Sequence, residues 1–173
     1  AKKSRNMIYG GGLKIYSAVD FTVQNAIEDV YENYRKMPDE TVQGACVFMD
    51  YKGRILGMAG GTGKKEANRT LNRAWQATRQ PGSVIKPLSV YGPALEKSLH
   101  SDDLDIYWST PVKDAPLMNI NGKPWPTNEG GTYSNSTVTL QRGLANSLNT
   151  VSARTLDKIG TTYSYDYFMN KFH

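Results

Sequence analysis

The sequence predicts an α/β chain in which helices accompany short antiparallel strands, and three patterns predict it. Leu13 to Val19 alternates apolar and polar residues with the two-residue period of a half-buried strand. Two short apolar runs, Gly44 to Met49 and Arg54 to Ala59, flank Asp50-Tyr51-Lys52-Gly53, which reads as a β-hairpin around an Asp/Gly turn. Between them, Phe21, Val23, Ala26, Ile27, Val30 and Tyr34 form the apolar stripe of a helix.

Leu, Ile, Val and Phe make up about one fifth of the 173 residues. That is the edge at which highly charged chains become disordered, but a net charge of +5 is too small for disorder to be the first reading. The length suits one domain or a large piece of one. No apolar run of about 18 residues is present, so no transmembrane helix is expected. Ala1-Lys2-Lys3-Ser4-Arg5 is basic with no apolar stretch behind it, so it is no signal peptide. The basic excess suits an anionic partner, yet its densest stretches, Lys2-Lys3-Ser4-Arg5 and Lys64-Lys65, are too short for the organised patches of nucleic-acid binding, which is not expected. The single cysteine, Cys46, lies in an apolar run and reads as a small core residue, with no disulfide framework. His100 and His173 have no Cys or carboxylate at ligand spacing. No metal or organic cofactor is expected.

Along the chain, Gly10-Gly11-Gly12 reads as a flexible lead-in, and residues 1–12 as a linker. Asp20 is placed to cap a helix from Phe21 to about Met37, where Pro38 stops it. Gly60-Gly61-Thr62-Gly63-Lys64 lacks the glycine spacing of a phosphate loop and no Ser or Thr follows the lysine, so it reads as a flexible loop leaving a strand. Residues 64–82 are polar and irregular. A helix is expected from near Ser83 to about Leu99. Pro111, Pro116, Pro124, Pro126 and Gly130-Gly131 make residues 100–135 a long loop region, of the kind that is usually functional or disordered. Thr139 can cap a short helix through about Ser147, a second runs from Thr150 to Lys158 and ends at Gly160, and a third covers Tyr163 to Phe172.

The chemistry-bearing segment is Ser83-Val84-Ile85-Lys86. On a helix, residues i and i+3 share a face, so a neutral lysine amine could take the serine proton, as an acyl-transfer nucleophile requires. Pro81-Gly82 places the serine at a helix N-terminus, where free N–H groups favour developing negative charge. Pro87 cannot donate to the Ser83 carbonyl and belongs in the first turn. Twelve Ser and thirteen Lys give about one Ser-x-x-Lys by chance, so the spacing proves nothing alone. A serine before a helix is also an ordinary N-cap. Ser-x-Asn is equally cheap, occurring at Ser4-Arg5-Asn6 and Ser147-Leu148-Asn149.

Context gives these triplets meaning. The stretch Arg79-Gln80-Pro81-Gly82-Ser83-Val84-Ile85-Lys86-Pro87, followed by Tyr91, Pro93, Ala94 and Leu95, resembles the acylation-site segment of penicillin-binding protein transpeptidases. Thr139 to Thr150, containing Ser147-Leu148-Asn149, resembles the family's second motif with its helical lead-in. Gly11 to Asp20 with Gln24 is similar to the start of the transpeptidase domain in class A, bifunctional members, and the hairpin from Ala45 to Gly60 fits the first core strands. The resemblance implies a β-lactamase/transpeptidase-like α/β fold, an antiparallel sheet flanked by helices with a helical subdomain, of which residues 1–173 are the N-terminal portion. It implies that Ser83 attacks the penultimate D-alanine carbonyl of a peptidoglycan stem peptide, with Lys86 as general base. Ser147 relays a proton to the leaving group, and Asn149 holds the Lys86 amine and the substrate amide. It implies β-lactam antibiotics as substrate mimics and the outer face of a bacterial cytoplasmic membrane as the location. Trp125 and Asn128, in Trp125-Pro126-Thr127-Asn128, sit where the family has a Pro-x-Asn loop near the cleft, which implies a substrate contact, with simple loop packing as the alternative; Glu129 departs from the common pattern. Trp75 and Trp108 read as packing anchors.

The family's third motif, Lys-Thr-Gly or Lys-Ser-Gly on a strand lining the site, is absent, and the chain stops 24 residues after Asn149. That strand supplies carboxylate-binding groups and one oxyanion-hole N–H. The remaining C-terminal part of the domain is therefore an expected partner, and the isolated chain is expected to be incomplete and inactive. Two alternatives accompany the transpeptidase reading: a β-lactamase or D,D-carboxypeptidase, and a non-catalytic β-lactam-sensing or binding module.

Overall fold

The computed structural model describes residues 2–33, 39 and 41–172. The chain divides into two compact units, Ala1–Arg79 and Gln80–His173. Among the described residues, no helix is long and apolar enough to cross a membrane.

In the first unit, helix α1 (Lys2–Gly10) occupies most of the expected linker. Lys, Arg, Asn and Met tolerate a helix, and the glycine triplet marks its end, with Gly11 N donating to Met7 O at 3.1 Å. Leu13 to Val19 does not form the expected half-buried strand: it joins no ladder, and Ile15 and Tyr16 are each 89% exposed. Alternation alone does not make a strand: Leu13, Ile15 and Val19 are all exposed, although Asp20 N, just after them, donates to Leu56 O at 2.9 Å. Helix α2 (Phe21–Asn33) follows, capped by Asp20 Oδ1, which accepts from Thr22 N at 2.8 Å and Val23 N at 3.3 Å. The expected continuation through Tyr34 to Met37 and the stop at Pro38 lie outside the described residues.

Strands β1 (Cys46–Met49) and β2 (Ile55–Ala59) form the expected hairpin. Its turn is organised by the Asp50 carboxylate, which accepts from Lys52 N and Arg54 N, both at 2.9 Å, and from Arg54 Nε at 2.7 Å. The Gln24 side chain of α2 acts on β2 as a neighbouring strand would: Met58 N donates to Gln24 Oε1 at 2.9 Å, and Gln24 Nε2 donates to Met58 O at 3.1 Å. Cys46 is only half-buried, because β1 presents little covered surface in this unit. The segment expected to be irregular contains a short helix, α3 (Arg73–Gln76), capped by Asn72 Oδ1, which accepts from Ala74 N at 3.1 Å. Four residues are too few to show a period.

The second unit holds the core. Val90, Tyr91, Ala94, Leu104, Ile106, Leu140, Val151 and Ile159 are all buried there. Its first helical segment runs from Gly82 to Leu99 as three hydrogen-bonding patterns in series. Gly82–Ile85 is a 3₁₀ turn, Pro87–Tyr91 is a π turn, and Gly92–Leu99 is helix α4. The prolines explain the irregularity. Pro87 offers no N–H to Ser83 O, so Lys86 N takes that acceptor, and Gly92 N bonds back to Pro87 O across five residues. Pro93 likewise offers nothing to Ser89 O, and the Ser164 hydroxyl donates there instead.

Residues 100–135 are less irregular than the breakers suggest. Strand β3 (Pro111–Lys113) pairs with β6 (Thr137–Thr139), and β4 (Met118–Ile120) pairs with β5 (Lys123–Trp125), each antiparallel. The β4–β5 turn is Asn121-Gly122 with φ of 51° and 75°, the two positive values of a type I′ hairpin turn. Asn-Gly is the sequence signal that the flanking prolines obscure. Helix α5 (Leu140–Ala145) is capped by Thr139 Oγ1, which accepts from Arg142 N at 3.2 Å, and is followed by α6 (Asn149–Ile159) and α7 (Thr161–Phe172).

Helices α5 and α6 meet at a glycine. A Cβ at Gly143 would stand 2.3 Å from Val151 Cγ1, and Val151 is fully buried. Gly143→Ala should therefore destabilise the protein by about 1–3 kcal/mol through overpacking, even though Ala favours helices. A urea melt checks this; a variant as stable as the parent would show that the α5–α6 contact yields freely.

Candidate active site

The centre of the site is the Lys86 amine. Lys86 follows the 3₁₀ turn that carries Ser83, and only 9% of it is exposed. Its Nζ lies 2.6 Å from Asn149 Oδ1, 2.8 Å from Ser147 O and 3.1 Å from Ser147 Oγ. None of these partners is a carboxylate, so burial is not offset by an opposite charge. Desolvation accordingly lowers the lysine pKa below its ordinary 10.5. The three contacts also fix how a proton can leave. Carbonyl oxygens only accept, whereas the Ser147 hydroxyl can accept from an ammonium or donate to a neutral amine. Of these three contacts, Ser147 Oγ is the one through which Lys86 can pass a proton on.

Ser147 owes its position to an unusual helix end. After α5, Leu148 N bonds to Gly143 O at 2.8 Å and Ser147 N to Leu144 O at 2.9 Å, which is the paired pattern of a Schellman cap. The residue in the left-handed position of such a cap is normally glycine; here it is Ser147, with φ of 51°. This cap lifts the Ser147 carbonyl and hydroxyl toward Lys86, at a conformational cost of about 1–2 kcal/mol. Asn149 opens α6 two residues later. Its Nδ2 donates to Thr127 O at 2.7 Å, which leaves Oδ1 to face the Lys86 amine.

Ser83 is exposed, lies inside the 3₁₀ turn and caps no helix: the residue preceding the turn is Pro81. Lys86, Ser147 and Asn149 thus meet directly, and Ser83 is tied to them through the turn it shares with Lys86. Trp125 ends β5 and is 42% exposed. Asn128 is only 6% exposed and spends its amide inside the protein. Its Nδ2 donates to Asp114 Oδ1 at 2.8 Å and to Thr132 O at 3.1 Å, and its Oδ1 accepts from Thr150 N at 3.2 Å. Both Asn128 protons are committed, so a donated bond from Asn128 to a ligand has no proton to use.

Asp114 and Thr150 have no counterpart among the residues singled out from the sequence. Asp114 is 4% exposed; its Oδ1 accepts from Thr150 Oγ1 at 2.6 Å and its Oδ2 from Ser134 N at 2.9 Å. Burial raises its pKa, but the bonds from Thr150, Ser134 and Asn128 outweigh burial and bring it to about 2. The folded value lies below the ordinary 3.8, so this stabilisation is complete above that pH and lost as pH falls through about 2. Its size is roughly 2 kcal/mol. Unfolding free energies measured between pH 5 and 2 should fall more steeply for the parent than for Asp114→Asn; parallel curves would contradict this. Beside the network, an open cleft of about 360 Å³ is lined by residues including Asn146, Ser147, Glu129 and Tyr133.

A comparison with protein-family models matches residues 44–173 to the penicillin binding protein transpeptidase domain. The chain belongs to this family. Among curated relatives of this transpeptidase-domain chain, penicillin-binding protein 4 of Bacillus subtilis is 36% identical over 158 residues, covering 90% of the chain and 23% of that protein. Penicillin-binding protein 1A of Neisseria gonorrhoeae is 41% identical over 132 residues, covering 73% of the chain and 15% of that protein. The chain therefore spans about a quarter or less of the length of these relatives. The structure of PonA1 from Mycobacterium tuberculosis in complex with penicillin V superposes with a TM-score of 0.72 at 24% identity, over 96% of this chain and 40% of that one. Penicillin-binding protein 1A from Haemophilus influenzae gives 0.56 at 27% identity, over 72% and 17%. The fold is that of penicillin-binding transpeptidase domains, as the sequence predicts.

Proposed function

We propose that this chain is the N-terminal portion of a peptidoglycan D,D-transpeptidase domain and carries its acyl-serine machinery. The observation that supports this best is the buried Lys86 amine held by Ser147 and Asn149, one turn from an exposed serine. In this reading Ser83 Oγ attacks the penultimate D-alanine carbonyl of a stem peptide while neutral Lys86 takes its proton. The proton passes through Ser147 Oγ to the departing D-alanine nitrogen, and the Ser83 ester remains. An amine of a neighbouring stem peptide then attacks that ester, forms the cross-link and returns the proton to the serine. A β-lactam acylates Ser83 in the same way, but its leaving nitrogen stays attached. Trp125 is an exposed aromatic face available to the substrate; the Asn128 role is structural. The remaining C-terminal part of the domain completes the oxyanion hole and the carboxylate site, and the protein works on the outer face of a bacterial cytoplasmic membrane.

A fluorescent penicillin tests this in the full-length protein. A long-lived covalent adduct is the expected result. Rapid release of the label would favour a β-lactamase or carboxypeptidase instead, and no adduct at all would favour a binding module.

A further inference from the structure

The Lys86 contacts depend on where the first residue of α6 points, and that residue is held from behind by bonds that converge on one buried carboxylate. Asp114 sits just beyond β3. Its carboxylate binds the Thr150 hydroxyl on α6, the Asn128 amide of the β5–β6 connection and the Ser134 backbone N–H. Asn128 in turn accepts from Thr150 N, and the carbonyl of its neighbour Thr127 accepts from Asn149 Nδ2. Thr150 is wholly buried, and among the described residues no buried side-chain polar atom is left without a partner. The network is thus closed. The two residues next to it in sequence, Thr127 and Asn149, are the ones that orient the amide facing Lys86.

We infer that Asp114 is a positioning residue for the acylation centre. It clamps the Thr127-Asn128 segment to the start of α6, so that Asn149 presents its oxygen, and not its nitrogen, to the Lys86 amine. Asp114 touches neither Lys86 nor Ser83 and acts through Thr150 and Asn128. If the clamp is released, Thr127 O no longer fixes the Asn149 amide. A flipped amide would place two N–H groups against an amine that also donates. A misplaced catalytic group can cost roughly ten- to hundred-fold in rate without loss of fold.

This inference rests on the acyl-serine reading, and the test separates the two. Acylation of the full-length protein by a fluorescent penicillin is followed across pH for the parent, Thr150→Val, Asp114→Asn and Ser83→Ala, with the folded fraction of each taken from a thermal melt. Thr150→Val removes the hydroxyl bond without changing charge. The partners of Lys86 Nζ on α6 and at the α5 end are all uncharged, so a shift in this variant reports geometry. Per folded molecule, Thr150→Val and Asp114→Asn should each acylate roughly ten- to hundred-fold more slowly. The limb that reports Lys86 should move to lower pH in both, because an ammonium without the Asn149 oxygen is less stabilised. A parental rate and profile in folded Thr150→Val would overturn the inference. So would a loss that merely tracks the unfolded fraction. Should Asp114→Asn fail to fold, Thr150→Val alone decides. Labelling that persists in Ser83→Ala would instead overturn the acyl-serine reading itself.

Discussion

Ser83→Ala should abolish covalent labelling by penicillin while leaving stability within about 0.5 kcal/mol of the parent, since Ser83 is exposed and caps nothing. Four other serines of the second unit have their hydroxyls engaged within the protein. Ser89 donates to Ile85 O, Ser98 to Leu104 O, Ser152 to Leu148 O and Ser164 to Ser89 O. Ser83 is also the one serine in the sequence with a lysine three residues on. Gel fluorescence with a thermal melt on the same sample checks both halves. Labelling that survives in a folded Ser83→Ala protein would place the nucleophile elsewhere, with Ser147 the first alternative to examine.

Lys86→Met is expected to have the second largest effect. The Met stem fills similar space, and removing a desolvated charge offsets the loss of its hydrogen bonds, so the protein should fold. Acylation should slow by about 10²–10⁴, the range spanned by general acid–base catalysis. The pH profile supplies the sign. An ammonium at Lys86 has all three N–H groups engaged and no lone pair for the Ser83 proton. The parental rate should therefore rise with pH as Lys86 loses its proton, and this limb should lie below 10.5 because burial lowers the lysine pKa. In Lys86→Met the limb should vanish. A retained limb would assign the titration to another group.

The two motifs around these residues are legible in the sequence because the chemistry fixes both residue type and spacing. Ser83 and Lys86 share a turn, and Ser147-Leu148-Asn149 follows a helix whose Thr139 cap is visible in the sequence. The order of the two motifs implies that they meet, although neither spacing alone does. What supports them is not legible. Asp114 is one of many aspartates, and its significance comes from burial beneath α6, which no local pattern encodes. The left-handed Ser147 is equally hidden, since an Asn-Ser after a helix reads as an ordinary end. Elsewhere the signals were present but outweighed. Asn121-Gly122 marks a hairpin within a proline-rich stretch, and the Pro87/Pro93 pair marks a helix whose bonding changes from turn to turn. The alternation of Leu13 to Val19 predicts a half-buried strand, but a strand also needs a covering surface, and these residues are exposed.

The most direct measurement maps the penicillin adduct by mass spectrometry on the full-length protein. Trypsin does not cut between Lys86 and Pro87, so Ser83 lies within the peptide Gln80–Lys97, which also contains Ser89. The account predicts the added mass on this peptide, with fragmentation placing it on Ser83. An adduct on Ser89, on any other peptide, or none under saturating penicillin would contradict it.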